Sequence, residues 1–300
     1  MSVKDKIKGR VEAFDHWARP WAMRAKWRSW AYEFLLFGLK QAWACLFGAL
    51  MLALILGTHL FWPAPADHFW LARYDFLVIA SVTVQAVLLA TKLERWDEAV
   101  VIFIFHAVGT VMEIFKTAHG SWIYPEPSLL RIGGVPLFSG FMYGCIGSYI
   151  ARIWRLFDIK FVRYPPLWTT WTLAILAYLN FFTHHFVPDI RAGLFAFSAL
   201  IFWRTWFVFT PDGTPRFMPV IMGLALVSLF IWFAENIGTF ASAWVYPSQR
   251  DGWQMVPIAK MGAWYLLMLL SYVLVTVVHR PAEYEGDMSN PSLTAEAAAD

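Results

Sequence analysis

The chain has 300 residues, 59% of them hydrophobic and only 15% charged, with a net charge of +3. Soluble domains carry roughly 25% charge, and the 18 tryptophans suit a protein whose surface meets lipid and its interfaces. This composition excludes an ordinary soluble domain; it describes an all-α, polytopic protein of a bacterial inner (cytoplasmic) membrane, with membrane lipids as partners and no nucleic acid.

The segment 1–32 holds Lys4, Lys6, Lys8, Arg10, Arg19, Arg24, Lys26 and Arg28 against Asp5, Glu12 and Asp15. No apolar core with a small-residue cleavage site follows directly, so it is not a cleaved signal peptide. Trp17, Trp21, Trp27 and Trp30 predict a helix lying on the membrane surface as a cytoplasmic interfacial arm.

About eight segments then reach the ~20 mostly apolar residues that a spanning helix needs. They are 41–62, ending at WPAPAD; 75–91, ending at KLERWDE; 99–118; 136–154; 167–186; 192–209, stopping at the turn cluster TPDGTP; 219–241; and 257–279. With the amino terminus inside, inner segments carry the basic arm, Lys92, Arg95, Arg155, Lys160, Arg163, Arg216 and Arg280. Outer loops carry Arg73, Arg131, Arg191 and Arg250. The positive-inside rule places both termini in the cytoplasm. The tail 281–300 is polar and is expected to be disordered. Cys45 and Cys145 lie in apolar runs and read as small hydrophobes rather than a disulfide pair.

The end of the third span, MEIFKTAHGSWIYP, returns at the end of the seventh as AENIGTFASAWVYP. Glu113 matches Glu235, Thr117 matches Thr239, Trp122 matches Trp244, Tyr124 matches Tyr246 and Pro125 matches Pro247, at one constant offset. Val135-Pro136 and Val256-Pro257 follow each copy, and Ser148-Tyr149 and Ser271-Tyr272 follow deeper. The chain therefore divides into two parallel four-helix repeats, 33–158 and 159–280, related by an axis along the membrane normal.

On a helix, His106, Thr110, Glu113 and Thr117 share one polar stripe, as do Ser228, Trp232, Glu235 and Thr239. Ionisable groups inside spans face a cavity or a partner. Lys116 stands three residues after Glu113, where the second copy has Gly238; Lys260 stands three after Pro257, where the first copy has Ser139. This spacing predicts a Glu113–Lys116 pair and Glu235 near Lys260. Three readings of these groups stay open: polar contacts that specify the fold, a pocket with chemistry, or a path for an ion or solute. The pocket reading takes Glu113, Glu235, Lys116 and Lys260 as catalytic, with His106, Thr117, Thr239, Trp122, Tyr124, Trp244, Tyr246 and Asn236 lining it. The Trp-x-Tyr-Pro elements also read as interfacial belts ending in a turn.

No His-x3-His box, Cys-x-x-Cys, Walker loop or Gly-x-Gly-x-x-Gly is present. Adjacent His184 and His185 are expected to point apart on a helix. No metal site and no cofactor are expected.

The stretches EIFKTAHGSWIYPE, GGVPLFSGFMY and AENIGTFASAWVYPSQ resemble the bacterial domain-of-unknown-function family 817 over roughly residues 30 to 280, which implies architecture and little function. Glu113, Gly120, Tyr124 and Gly134-Val135-Pro136 are also similar to a pattern in membrane carotenoid hydratases and integral-membrane lycopene cyclases; Ser242 and Met255 depart from it in the second copy. That resemblance implies acid–base chemistry on an isoprenoid or other apolar lipid. A buried Glu would protonate an alkene, and aromatic faces would stabilise the cation. The alternatives are a proton-coupled carrier of a small solute and a non-catalytic scaffold. The sequence leaves the oligomeric state unknown.

Overall fold

A computed structural model describes residues 3–62 and 71–286. The amino-terminal arm forms α1 (Val3–Ala22) and α2 (Lys26–Ala44). α2 runs across the expected arm boundary at residue 32 and meets α3 (Leu46–Phe61) at a 61° bend at Cys45. α4 (Arg73–Ala90) and α5 (Trp96–Ala118) follow, then a two-residue ribbon, β1 (Arg131–Ile132) and β2 (Val135–Pro136), and α6 (Phe138–Leu156). The remainder is β3 (Lys160–Val162), α7 (Leu167–Thr183), α8 (Arg191–Phe202), β4 (Trp206–Asp212), β5 (Thr214–Pro219), α9 (Val220–Phe240) and α10 (Lys260–Val275).

Helices α4, α5 and α9 are long and apolar enough to cross a membrane, and the bent pair α2–α3 passes the same test together. α8 and α10 are shorter apolar helices. Phe103, Leu200 and Phe230 point outward on these helices and are exposed, as Trp168 is on α7. Apolar side chains on the outer face suit a lipid solvent, where the backbone bonds of a helix are met internally.

The fold is mostly helical, but not all-α. β3, β4 and β5 make an antiparallel sheet in that order, with Lys160 opposite Val208 and Phe207 opposite Met218. The expected sixth span stops at Phe202 because the aromatic, β-branched run WFVFT that follows is taken into β4. The turn from β4 to β5 uses Gly213 at φ +71°. The start of the tail is ordered, not disordered: the Phe161 amide donates to Ala282 O (2.9 Å) and the Tyr284 amide to Phe161 O (2.8 Å), pairing with β3. Residues 287–300 and most of WPAPAD lie outside the described residues. Arg19 reaches Asp212 (2.8 Å), Arg216 reaches Glu33 (2.6 Å) and Lys40 reaches Thr210 O (3.0 Å), so the arm is fastened to this sheet.

α5 and α6 pack backbone to backbone. A Cβ on Gly144 would stand 2.9 Å from the Ile102 side chain, and one on Gly147 2.8 Å from Phe105. Small residues allow this approach between apolar helices. Two of the apolar clusters are large. One, near the sheet, contains Phe157, Phe161, Leu269 and Tyr272; the other, at the opposite end, contains Trp122, Tyr124, Tyr246 and Val256.

Candidate functional site

Both Trp-x-Tyr-Pro copies fold back onto the helix that precedes them. At the end of α5, Gly120 takes φ +67° while the amides of Gly120 and Ser121 bond Thr117 O and Lys116 O, each at 3.0 Å. A left-handed residue after the last turn satisfies the open carbonyls and reverses the chain. At the end of α9 the same turn is made by Ser242 at φ +53°, with the amides of Ser242 and Ala243 on Thr239 O and Gly238 O. The reversal brings each tyrosine back to the glutamate eleven residues earlier.

Glu113 is buried, and its carboxylate accepts from Trp122 Nε1 (2.7 Å), Tyr124 OH (2.7 Å) and, across the helix pair, Tyr143 OH (2.8 Å). Glu235, also buried, accepts from Tyr246 OH and from Trp264 Nε1 of α10 (2.6 Å). The indole in the second site therefore comes from a different helix. Trp244 instead packs on Gly238, where any Cβ would stand 2.3 Å from its ring. This is why the second copy has glycine where the first has Lys116. The Trp122 and Tyr246 rings meet edge to face at 6.0 Å, joining the two sites.

The expected Glu113–Lys116 pair does not form. Three donors already occupy the Glu113 oxygens, and Lys116 turns to the end of α7. Its Nζ donates to His185 Nε2 (2.9 Å) and His184 Nε2 (3.2 Å) and lies 4.3 Å from the Phe181 ring centre. His184 Nδ1 bonds Asn180 O at 2.8 Å, which fixes Nδ1 as the protonated nitrogen and Nε2 as an acceptor. Burial, with Lys116 and the other histidines, pushes the His185 pKa down, toward the uncharged form that accepts from Lys116. The two histidines do not point apart: α7 ends at Thr183, helical spacing no longer applies, and their rings sit 4.2 Å apart. Lys260 makes no ion pair with Glu235; its Nζ rests 4.4 Å from the Tyr246 ring centre, and its charge reaches Glu235 through space.

A cavity of about 1030 Å³ adjoins both carboxyl groups, at the upper end of the roughly 300–1,000 Å³ of ligand pockets. Of the sequence candidates, Glu113, Lys116, Trp122, Tyr124, Glu235, Trp244, Tyr246 and Lys260 line it. His106, Thr117, Asn236 and Thr239 do not. His106 packs against Phe141 and Gly140; Thr117 points into the protein with no partner for its hydroxyl among the described residues. Asn236 ties Trp232 O to the Val256 amide, and Thr239 accepts from Trp253 Nε1. Among the described residues no group of three or more His, Cys, Asp or Glu could hold a metal ion.

Sequence reasoning missed Tyr143, Trp264, Asn180 and Arg191, which also line the cavity. It also missed a buried network near the sheet, where Arg152 Nη2 lies 3.3 Å from Glu94 and Arg155 Nη2 2.7 Å from Glu98. A second network sits at the other end. There Arg73 bonds Glu126, Thr58 and Ala241 O, and Asp75 accepts from the amides of Leu129 and Leu130. Each joins elements distant in sequence, so no local spacing announces it.

Residues 33–272 match the family described as Protein of unknown function (DUF817), and the chain belongs to that family. The uncharacterized protein YoaT of Bacillus subtilis (strain 168) is 41% identical over 247 residues, covering 82% of this chain and 92% of the relative. No solved structure matches the chain.

Proposed function

We propose that the protein is an inner-membrane enzyme that performs acid–base chemistry on an isoprenoid or other apolar lipid. The observation that carries this reading is the cavity, which two buried carboxyl groups and their tryptophan and tyrosine partners line together. Its wall includes Phe34 of α2 and Phe230 of α9, both strongly exposed, so a lipid has a lateral way in.

The proton-transfer group is assigned to Glu235. A carboxyl group offers about four lone-pair sites. Among the described residues three donors crowd Glu113, whereas Glu235 accepts from Tyr246 and Trp264 only. In a hydration, the Glu235 carboxylic acid gives its proton to an alkene carbon, leaving a carboxylate and a tertiary cation. Water adds to the cation, and the protonated alcohol returns a proton to Glu235. Tyr246 and Trp264 orient the carboxyl group, and the aromatic walls stabilise the cation. Glu113 anchors the neighbouring site.

In this reading α3 to α10 make about eight membrane-embedded helices, the short α8 crossing only part of the way, in two parallel four-helix repeats, 33–158 and 159–280, with both termini in the cytoplasm. The equivalent turns at Gly120 and Ser242, and the equivalent Tyr–Glu bonds, support the duplication. A carrier for a small solute is the second reading, favoured by a cavity lining that runs from Gln41 of α2 to Arg191 of α8.

The test is lipid extraction and mass spectrometry of cells with and without the gene, repeated with Glu113→Gln and Glu235→Gln. A lipid that changes with the gene and reverts in Glu235→Gln is expected. An unchanged lipidome with stable expression removes the enzyme reading.

A further inference from the structure

The cavity has a charged end. Lys116, Arg191 and Lys260 all line it, and the three are close enough to act on one another electrostatically. Lys116 is 3% exposed, yet its hydrogen-bond partners are two imidazoles, which accept a proton donor without cancelling a charge. A buried ammonium without a counter-anion is costly. The Lys260 ammonium has no hydrogen-bond partner among the described residues; the Tyr246 ring faces it closely, and Glu235, whose oxygens are taken by Tyr246 and Trp264, acts on it only through space. Arg191 engages Asp189 through Nε and Nη2, which leaves Nη1 unused, while Asp189 is shared with Asn180. Three cations thus converge on one end of an apolar chamber with too little negative charge among them.

Resting on the lipid cavity proposed above, we infer that its occupant is an amphiphile with an anionic head group, a phosphate ester or a carboxylate. The head sits on Lys116, Arg191 and Lys260, and the apolar chain runs along the chamber toward Gln41. Charge-assisted bonds from ammonium and guanidinium groups are the strong ones for such oxygens. The head supplies the missing counter-charge, and holding it there sets which part of the chain passes Glu235.

The experiment is equilibrium binding of radiolabelled farnesyl phosphate, palmitate and farnesol to the full chain in phosphatidylcholine nanodiscs, with empty nanodiscs subtracted. At least one anion is expected to bind about tenfold or more tighter than farnesol. Lys260→Gln and Arg191→Gln should each reduce that preference several-fold. Palmitate or farnesyl phosphate as the tighter ligand identifies the head as carboxylate or phosphate. Arg191 is partly exposed, so its variant keeps the test decisive if Lys260→Gln fails to fold. Equal affinity for farnesol and both anions, or a preference unchanged in both variants, overturns the inference. Head-group binding with no Glu235-dependent lipid product leaves this inference standing and removes the acid–base reading; a Glu235-dependent product from an uncharged lipid does the reverse.

Discussion

Ile123 and Val245 exchange both backbone hydrogen bonds, at 3.0 and 2.9 Å, in an antiparallel bridge between the two Trp-x-Tyr-Pro copies. Each residue stands between the tryptophan and the tyrosine of its own copy. The contact brings equivalent backbone positions together, and it holds the Glu113 and Glu235 sites side by side at one end of the cavity. A doubly bonded antiparallel pair has its Cα atoms about 5.5 Å apart, within disulfide range. With Cys45 and Cys145 replaced by Ala, the Ile123→Cys/Val245→Cys variant should cross-link under mild oxidation. After proteolysis between the copies, the fragments should stay joined until reduced; separate fragments would contradict the pairing.

The buried network near the sheet predicts a marked asymmetry between two arginines. The Arg152 side chain is fully buried between Glu94 and Glu98, whereas that of Arg155 is partly exposed. Removing one partner of a buried ion pair costs about 3–5 kcal/mol. Arg152→Ala should therefore abolish or severely lower the yield of folded protein in detergent. Arg155→Ala should lower the melting temperature by a clearly smaller amount. Equal effects would show that the network does not hold α5 to α6.

The loop between α7 and α8 gives a pH prediction. Burial alone would raise the Asp189 pKa, but hydrogen bonds from Arg191 and Asn180 outweigh it and hold the group at about 2, below its ordinary 3.8. A carboxylate lowered on folding adds stability that is fully present above its unfolded pKa and is lost as pH falls through the folded value. The melting-temperature difference between the wild type and Asp189→Asn should be flat from about pH 5 to 8 and should narrow only below about pH 4. A difference that changes across neutral pH would place the linkage elsewhere.

Helix positions and the two carboxyl sites were legible in the sequence because both are local signals. Apolar run length predicted a helix at each segment from α3 to α10, and the constant spacing from Glu to Trp-x-Tyr-Pro singled out Glu113 and Glu235. What stayed hidden depends on contacts between distant elements. Lys116 pairs with His184 and His185 rather than Glu113. Trp264 of α10, not Trp244, gives its indole to Glu235. In the first case the i,i+3 spacing put two charges on one helix face but could not show that Glu113 was already satisfied. In the second, Gly238 admits the Trp244 ring and removes it from the carboxyl group. The run after Phe202 was apolar enough to read as span, but its aromatic and β-branched residues pair as a strand with β3 and β5.

Proton transfer between Glu235 and a lipid carbon, as proposed above, would leave an isotopic mark in deuterated solvent. The most direct measurement places the purified protein in nanodiscs made from the lipid extract of cells lacking the gene, in D2O, and follows the lipids by mass spectrometry. At least one lipid should gain solvent deuterium at a carbon position with the wild type and not with Glu235→Gln. Folded wild-type protein that leaves every lipid without carbon-bound deuterium would contradict it.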